Sequence, residues 1–221
     1  MSNKTDLRII KTKKSIYRAF FKLLNEKGFE KISVKDISDE AVISRNTFYL
    51  HYEDKYDLMD KICDEMVTAL FENVNKKIEN NAELSLNVTV SSITKVLMLA
   101  NEVISENEEM YTIMLKNDNS YIFKNKLRKK LHFYLSPIFN FAGELSEYNI
   151  QYIIGGIVNI TIYRLYNKTE PINEQTVEAF VRLNFSTYIE YMKNFGKQRG
   201  ETQWNGQKEK QTENDLKICR L

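Results

Sequence analysis

The sequence predicts an all-α protein with an N-terminal three-helix domain and a larger C-terminal helical bundle. Only seven glycines and two prolines occur among 221 residues, which leaves few positions for the turns that join strands. Apolar residues recur at three- and four-residue steps over long segments, as in amphipathic helices. Serine, aspartate or asparagine precedes several of these segments, at the position where a helix N-cap is expected.

The composition favours a packed protein that lies outside membranes. Apolar residues make up 43% and charged residues 28% of the chain, so a core is expected and wholesale disorder is not. No apolar run approaches the ~20 residues of a membrane-spanning helix, and residues 1–14 do not read as a signal sequence. Cys63 and Cys219 are too far apart for a disulfide framework or a metal-ligand pattern. We therefore expect a cytoplasmic protein.

The first helix is indicated by an apolar stripe that ends before Gly28. This glycine is expected to adopt the left-handed conformation that ends helices. Residues 1–24 contain seven basic residues and one acid, Asp6. Such a basic segment is typical of contacts with phosphates, although a solvated helix face explains it equally well.

Two short helices follow. Ser33 is expected to cap a helix that ends at Glu40, with Asp36 three residues on to complete a capping box. Ser44 is expected to cap a second helix over residues 45–51.

The rest of the chain is also predicted to be helical. Asp54 opens a long helix to about Asn80, Pro137 ends a later one, and the last helix ends before Gly196. The further helices are expected at 86–105, 108–115, 120–135, 146–167 (capped by Ser146) and from a cap at Asn173. The sequence thus predicts a domain at 1–60, a regulatory and dimerisation domain at 61–196, and a disordered tail at 197–221.

The two short helices have the pattern of a helix-turn-helix, whose second helix enters the DNA major groove. Phe48, with Val42 and Ile37 behind it, is expected to hold this helix to the domain. Arg45 and Asn46 lie at its start, where an arginine binds guanine and an asparagine binds adenine, each giving ~1–3 kcal/mol of discrimination.

Other side chains of the segment suit phosphate oxygens. Thr47, Tyr49 and His51 offer hydrogen-bond donors that fix the register without reading bases, and Lys55 adds a point charge. Taken singly, such a tyrosine is more often a half-buried aromatic, as is possible for Tyr49, and such a histidine is more often structural, as is possible for His51. The grouping of these residues on successive turns favours DNA binding.

The segment from Arg8 to Ile62 resembles the DNA-binding domain of the TetR/AcrR transcriptional regulators. The matching positions are Gly28–Phe29, Ser33–Val34–Lys35–Asp36–Ile37, Ala41, Ser44, Thr47, Tyr49, His51–Tyr52, Lys55 and Leu58. The resemblance implies a bacterial regulator, expected to be a repressor, that binds a palindromic operator as a homodimer under the control of an effector. It implies base contacts from Lys35, Arg45 and Asn46, and phosphate contacts from Ser33, Thr47, Tyr49, His51 and Lys55.

Val42 departs from the family pattern, which has glycine at this place in the turn. A β-branched residue costs ~1–2 kcal/mol in a left-handed conformation. Either the turn is built differently here or the domain carries strain.

The C-terminal part is expected to form the dimer. One predicted helix is apolar nearly all round, so it should be buried between layers or between subunits. Gly155 and Gly156 in its middle cost ~1 kcal/mol each against alanine, which suggests close approach of another backbone. Together with the last helix it predicts an interface that contains Gly155, Gly156, Ile157, Phe180 and Tyr188.

An effector site is expected in the same part. Tyr111, Met114, Tyr121 and Phe133 form a candidate pocket, although such aromatic stripes are also typical of a plain core. The C-terminal half weakly resembles the subgroup that regulates dihydroxyacetone-utilisation operons, which leaves a protein coactivator open in place of a small molecule.

An enzyme is not expected. The two histidines, His51 and His132, lie in no nucleophile or metal motif, and no glycine-rich phosphate loop occurs. We therefore expect no catalytic residue, no metal and no cofactor. An interaction protein on the same scaffold, for which DNA is secondary, is the second hypothesis.

Overall fold

The computed structural model describes residues 2–80, 89–116, 119–139, 145–168 and 172–198. These residues form helices and turns and no strand, so the all-α prediction is confirmed. The helices are α1 (Ser2–Lys27), α2 (Val34–Glu40), α3 (Arg45–Tyr49), α4 (Lys55–Glu79), α5 (Val90–Glu106), α6 (Glu108–Lys116), α7 (Ser120–Phe139), α8 (Leu145–Asn167) and α9 (Glu174–Gln198), with a short 3₁₀ helix at Phe29–Lys31. Within the described part of the chain, no helix is long and apolar enough to span a bilayer.

The chain divides into two compact units. The first comprises Met1–Val67 and Asn107–Leu127, and the second comprises Thr68–Glu106 and Arg128–Leu221. The first unit thus contains the predicted domain at 1–60 and adds α6 with the first turns of α7. Most of the tail predicted at 197–221 lies outside the described residues.

The first unit has one apolar core. α1 packs against α2 and α6, and α2 packs against α3. Asn119 Nδ2 donates to Glu30 Oε1 at 2.9 Å, and Lys126 Nζ lies 2.9 Å from Asp60 Oδ1 and 2.7 Å from Asp64 Oδ1. The buried core residues include Ile16, Phe20, Phe29, Ile37, Phe48, Leu58, Ile62, Met114 and Phe123.

In the second unit α5 packs along α9. Phe71 and Tyr134 stack with ring centroids 4.9 Å apart, and His132 Nε2 lies 2.9 Å from Glu147 Oε2. The buried residues include Val103, Ile150, Ile153, Ile154, Val158, Val181 and Phe185.

The apolar sequence of helix α8 predicts that it is buried between layers or between subunits, and within the single chain only one of its faces is buried. One face is buried, and the other exposes a row of tyrosines. Its exposed large side chains are Tyr148, Tyr152, Ile160, Tyr163 and Tyr166.

Several helix ends are corrected. α7 continues through Pro137 to Phe139, because proline near a helix end removes only one backbone donor. α8 begins at Leu145, so Ser146 lies inside the helix and is not its cap. α9 passes Gly196 and ends at Gln198. The cap at Asn173 is confirmed, since its Oδ1 accepts from Thr176 N at 2.9 Å.

Gly28 ends α1 with φ 74° and ψ 159°. The positive φ is confirmed, but the ψ value lies beyond the left-handed helical region, in a conformation open almost only to glycine. The chain can therefore turn sharply from α1 into the 3₁₀ helix.

Candidate nucleic-acid interface

The start of α2 is fixed by the capping box predicted from Ser33 and Asp36. Asp36 N donates to Ser33 Oγ at 3.1 Å, and Ser33 N donates to Asp36 Oδ2 at 2.8 Å. Lys27 Nζ lies 3.0 Å from Asp36 Oδ1. The Ser33 hydroxyl and backbone N–H, with Lys27 beside them, lower the pKa of Asp36 to about 2. The cap therefore stays ionised at neutral pH and sets the position of α2.

The Ser33 hydroxyl also donates to Asp36 Oδ2 at 2.6 Å. A serine hydroxyl has one proton to donate. The phosphate contact expected from Ser33 would thus need this bond to open. Lys35 lies in the first turn of α2 and is exposed.

The turn after α2 is a Schellman motif. Ile43 N donates to Ser38 O at 3.0 Å, and Val42 N donates to Asp39 O at 3.2 Å. Val42 adopts φ 56°, so it has the left-handed conformation that glycine usually adopts at this position of the turn. Of the two alternatives left by the sequence, the strained turn is the one observed.

Helix α3 is capped by Ser44 as predicted. Thr47 N donates to Ser44 Oγ at 3.0 Å, and the two hydroxyl oxygens are 2.9 Å apart. The helix ends at Tyr49, two residues earlier than expected, and Leu50 follows as its C-cap. It therefore makes little more than one turn.

The side chains of α3 divide sharply between inside and outside. Phe48 is fully buried, with its ring centroid 5.6 Å from that of the buried Tyr52. Arg45 and Asn46 are exposed, and Tyr49 is 55% exposed. The helix therefore presents a guanidinium, an amide and a phenol to the surroundings on a rigid base.

The anchoring of α3 differs in one residue from the expectation. Ile37 is buried with Phe48, as predicted, but Val42 is 90% exposed and does not lie behind Phe48. At φ 56° the side chain of Val42 points into the surroundings. Tyr52 takes the place expected for Val42.

His51 and Lys55 flank the end of α3. His51 is half-buried, and its carbonyl oxygen lies 3.4 Å from Lys61 Nζ. Lys55 Nζ donates to the carbonyl oxygens of Phe29 and Glu30, both at 3.1 Å. It also lies 4.7 Å from the centroid of the Phe29 ring. The ammonium of Lys55 thus already binds two carbonyl oxygens and a ring of its own domain, and a phosphate contact would come in addition to these.

The sequence does not predict that Lys55 binds the 3₁₀ helix of its own domain. The partners of Lys55 are main-chain oxygens, which a pattern of side chains does not reveal. The sequence feature closest to predicting this contact is Gly28, because it allows the turn that brings those oxygens near Lys55.

The residues predicted for the interface and the pocket are distributed as follows. A Cβ at Gly156 would lie 3.4 Å from the Phe180 ring, so these two positions meet within one chain. Gly155 and Ile157 are half-buried, and the side chain of Tyr188 lies outside the described residues.

Among the pocket residues, Tyr111 and Met114 are buried in the first unit. Tyr121 of that unit and Phe133 of the second are both more than half exposed.

Comparisons with known proteins bear on the first unit. Residues 16–62 match the family model described as "Bacterial regulatory proteins, tetR family". A curated relative from Bacillus subtilis, the uncharacterized HTH-type transcriptional regulator YxbF, is 22% identical over 129 residues, which are 56% of this chain and 33% of that protein. The chain thus spans about a third of the length of that relative.

Two solved structures share the all-helical fold. The fatty acid degradation regulator FadR from Bacillus halodurans has a TM-score of 0.54 at 13% identity, over 80% of this chain and 94% of that one. A TetR-family regulator structure from Syntrophomonas wolfei has a TM-score of 0.56 at 16% identity, over 83% and 94% of the two chains. At these identities the likeness shows the fold alone.

The matched residues 16–62 contain the capping box, the Schellman turn and the outward-facing side chains of α3 described above. Residues 16–62, which form the helix-turn-helix described above, therefore match the N-terminal domain of the TetR family of bacterial regulators.

Proposed function

We propose that the protein is a TetR-type transcriptional regulator that binds a palindromic operator as a homodimer and is released by an effector. One observation carries the DNA-binding part. Arg45, Asn46 and Tyr49 face outward from a capped helix whose Phe48 is wholly buried. A core helix has no use for these three side chains on its outer face, whereas a recognition helix does.

The roles of these side chains follow from their chemistry. At the start of α3, Arg45 presents paired donors that suit the edge of guanine, and Asn46 presents a donor and an acceptor that suit the edge of adenine. Lys35 is exposed on α2 and adds a third candidate base contact. Thr47, Tyr49 and His51 suit phosphate oxygens, with Ser33 and Lys55 contributing where their internal bonds allow.

The homodimer is supported by α8 and α9 of the second unit. On one face of α8, Tyr148, Tyr152 and Tyr163 are 76%, 71% and 66% exposed. On α9, Leu183 is 84% exposed. A face of this kind is typical of a surface that another protein covers. Apart from the adjacent backbone of its own helix, no described atom lies within 4 Å of a Cβ placed at Gly155, so this glycine has room for a partner's backbone.

Repression would depend on the separation of the two copies of α3. They must lie about one DNA turn apart, ~34–36 Å, to enter both half-sites. An effector that binds better to a conformation with another separation shifts the population away from the operator.

The effector is a small molecule or a protein. FadR of Bacillus halodurans is described as a regulator of fatty acid degradation, which makes an acyl compound one candidate for this chain. The relatives reported above give no support to the subgroup that regulates dihydroxyacetone-utilisation operons. Tyr111 and Met114, both buried in the first unit, stay candidates for the site.

A binding titration tests the proposal. Fluorescence anisotropy should show that the protein binds the DNA upstream of its own gene at least ~1,000-fold tighter than a shuffled duplex at matched salt. Arg45→Ala should lower that preference by ~1–3 kcal/mol. Arg128→Ala, an exposed cation of the second unit, is the matched control and should change nothing. Equal affinity of the wild type for both duplexes would overturn the proposal.

Sedimentation velocity tests the dimer. Tyr152→Glu should convert a dimer into monomers, because it places a charge in the proposed interface. Tyr121→Glu, at a tyrosine of the first unit that is 64% exposed, should leave the dimer intact. A wild-type protein that is monomeric at micromolar concentration would contradict the homodimer.

A further inference from the structure

One face of α1 carries positive charge over several turns. Arg8, Lys11, Lys14 and Arg18 follow one another at steps of three or four residues, so their side chains share a side of the helix. All four residues are exposed. We call these four residues the basic face.

The basic face lies opposite the core. Ile16, Phe20 and Leu23 are buried against the rest of the first unit, and their positions are about half a turn away from the basic face. The fold of the unit therefore fixes the direction in which the four cations point.

The charges of the basic face are not neutralised within the described chain. Lys22, one turn further along, lies 2.8 Å from Glu40 Oε1. In the described residues, by contrast, no carboxylate lies within ion-pair distance of Arg8, Lys11, Lys14 or Arg18. Four like charges side by side are unfavourable in an isolated helix, and an anionic partner would relieve that repulsion.

We propose that the basic face of α1 is a second DNA-binding surface, which contacts phosphates independently of sequence while α3 reads base edges. It rests on the function proposed above. The face spans about 15 Å of helix from residue 8 to residue 18, and duplex DNA carries one negative charge per ~1.7 Å of its axis. Lysine and arginine on flexible stems are suited to phosphate oxygens and give no base discrimination by such contacts.

Duplex DNA is favoured over an anionic membrane as the partner. The compact unit that carries the basic face also carries α2 and α3. A membrane-binding helix needs a continuous apolar face. The exposed apolar residues of α1, Leu7, Ile9 and Ile10, point in different directions around the helix.

The test compares two triple variants that remove the same charge. Lys11→Gln, Lys14→Gln and Arg18→Gln form the basic-face variant, and glutamine keeps the helix propensity. Lys76→Gln, Arg128→Gln and Lys129→Gln form the control, since all three are exposed in the second unit. Circular dichroism establishes that both are folded. Anisotropy on the upstream and the shuffled duplex is then measured between about 50 and 200 mM KCl, a range over which phosphate binding weakens strongly.

The basic-face variant should bind both duplexes more weakly by the same factor, with the preference between them retained. The slope of log affinity against log salt should fall in magnitude by about 1 for each phosphate that the variant no longer neutralises. The ratio of wild-type affinity to variant affinity should therefore fall by about threefold for each such phosphate as the salt rises from about 50 to 200 mM. The control should keep the wild-type slope.

Three results would overturn the inference. They are an unchanged slope in the folded basic-face variant, an equal change in the control, or a weakening confined to the upstream duplex. Binding to phosphatidylserine vesicles that the basic-face variant abolishes, with its DNA slope unchanged, would assign the face to membranes instead. A wild type without preference for the upstream duplex would refute the proposed function, whereas the slope on the shuffled duplex would still decide the basic face.

Discussion

Lys55, in the first turn of α4, donates to the carbonyl oxygen of Phe29, 26 residues earlier in the chain, at 3.1 Å. The same ammonium lies over the Phe29 ring, 4.7 Å from its centroid. It therefore ties the 3₁₀ helix, and through it the start of α2, to the long helix α4.

Removing this ammonium should loosen the domain. Lys55→Met keeps the stem and leaves two carbonyl oxygens without their charged donor, so we expect the free energy of unfolding to fall by about 1–2 kcal/mol. Urea denaturation measures this. Lys31→Met, at an exposed lysine of the same unit, should have almost no effect. Unchanged stability together with a salt slope for DNA binding lower by about 1 would assign Lys55 to phosphate alone.

The strain at Val42 should be removable. Its φ of 56° costs a β-branched residue ~1–2 kcal/mol, and its side chain is 90% exposed, so replacing it sacrifices no packing. Val42→Asn should raise the free energy of unfolding by about 0.5–1 kcal/mol, because asparagine tolerates this conformation. Leu50→Asn is the control, since Leu50 is similarly exposed but has φ −70°. A Val42→Asn protein less stable than the wild type would show that the side chain serves another purpose.

The capping box should make stability depend on acid pH. The pKa of Asp36 is lowered to about 2 from an ordinary value of 3.8 by its bonds with Ser33 and Lys27. A lowered pKa in the folded state stabilises it fully above about pH 4, and this contribution disappears as the pH falls toward 2. The stability difference between wild type and Asp36→Asn should therefore be greatest at neutral pH and shrink as the pH falls below 4 and through 2. Asp39→Asn, on the exposed side of the same helix, should show a small difference that does not follow this course.

Gly155 should separate subunit stability from dimer stability. Apart from the adjacent backbone of its own helix, a Cβ at this position meets no described atom within 4 Å, so Gly155→Ala should raise the unfolding free energy of the single subunit by about 0.5–1 kcal/mol. The same change should weaken the dimer, measured by sedimentation equilibrium, if a partner backbone approaches there. In Gly156→Ala the gain should be smaller, because the new methyl group lies 3.4 Å from the Phe180 ring. A Gly155→Ala protein with an unchanged dimer dissociation constant would remove this residue from the interface.

Local chemistry made part of the interface predictable. Ser33 and Ser44 are predictable as the caps of α2 and α3, as Asn173 is for α9, because a hydroxyl or amide satisfies free N–H groups only a few residues away. Phe48 is predictable as an anchor because it is the large apolar residue in a short polar helix. These features depend on neighbours in sequence.

Features that depend on the backbone or on tertiary contacts were not predictable. The orientation of Val42 follows from its left-handed conformation, which the sequence left open. The partners of Lys55 are carbonyl oxygens brought close by the turn at Gly28. Pro137 was expected to end α7, yet a single missing backbone bond does not outweigh the surrounding helix.

The short helix α3 also bears on how such a protein can change over generations. Phe48 is the buried side chain of the helix, while Arg45 and Asn46 are exposed and contribute little to folding. Mutations at those two outer positions can therefore accumulate without a loss of stability. A duplicated copy of the gene could acquire a new target on DNA and remain a well-folded protein throughout.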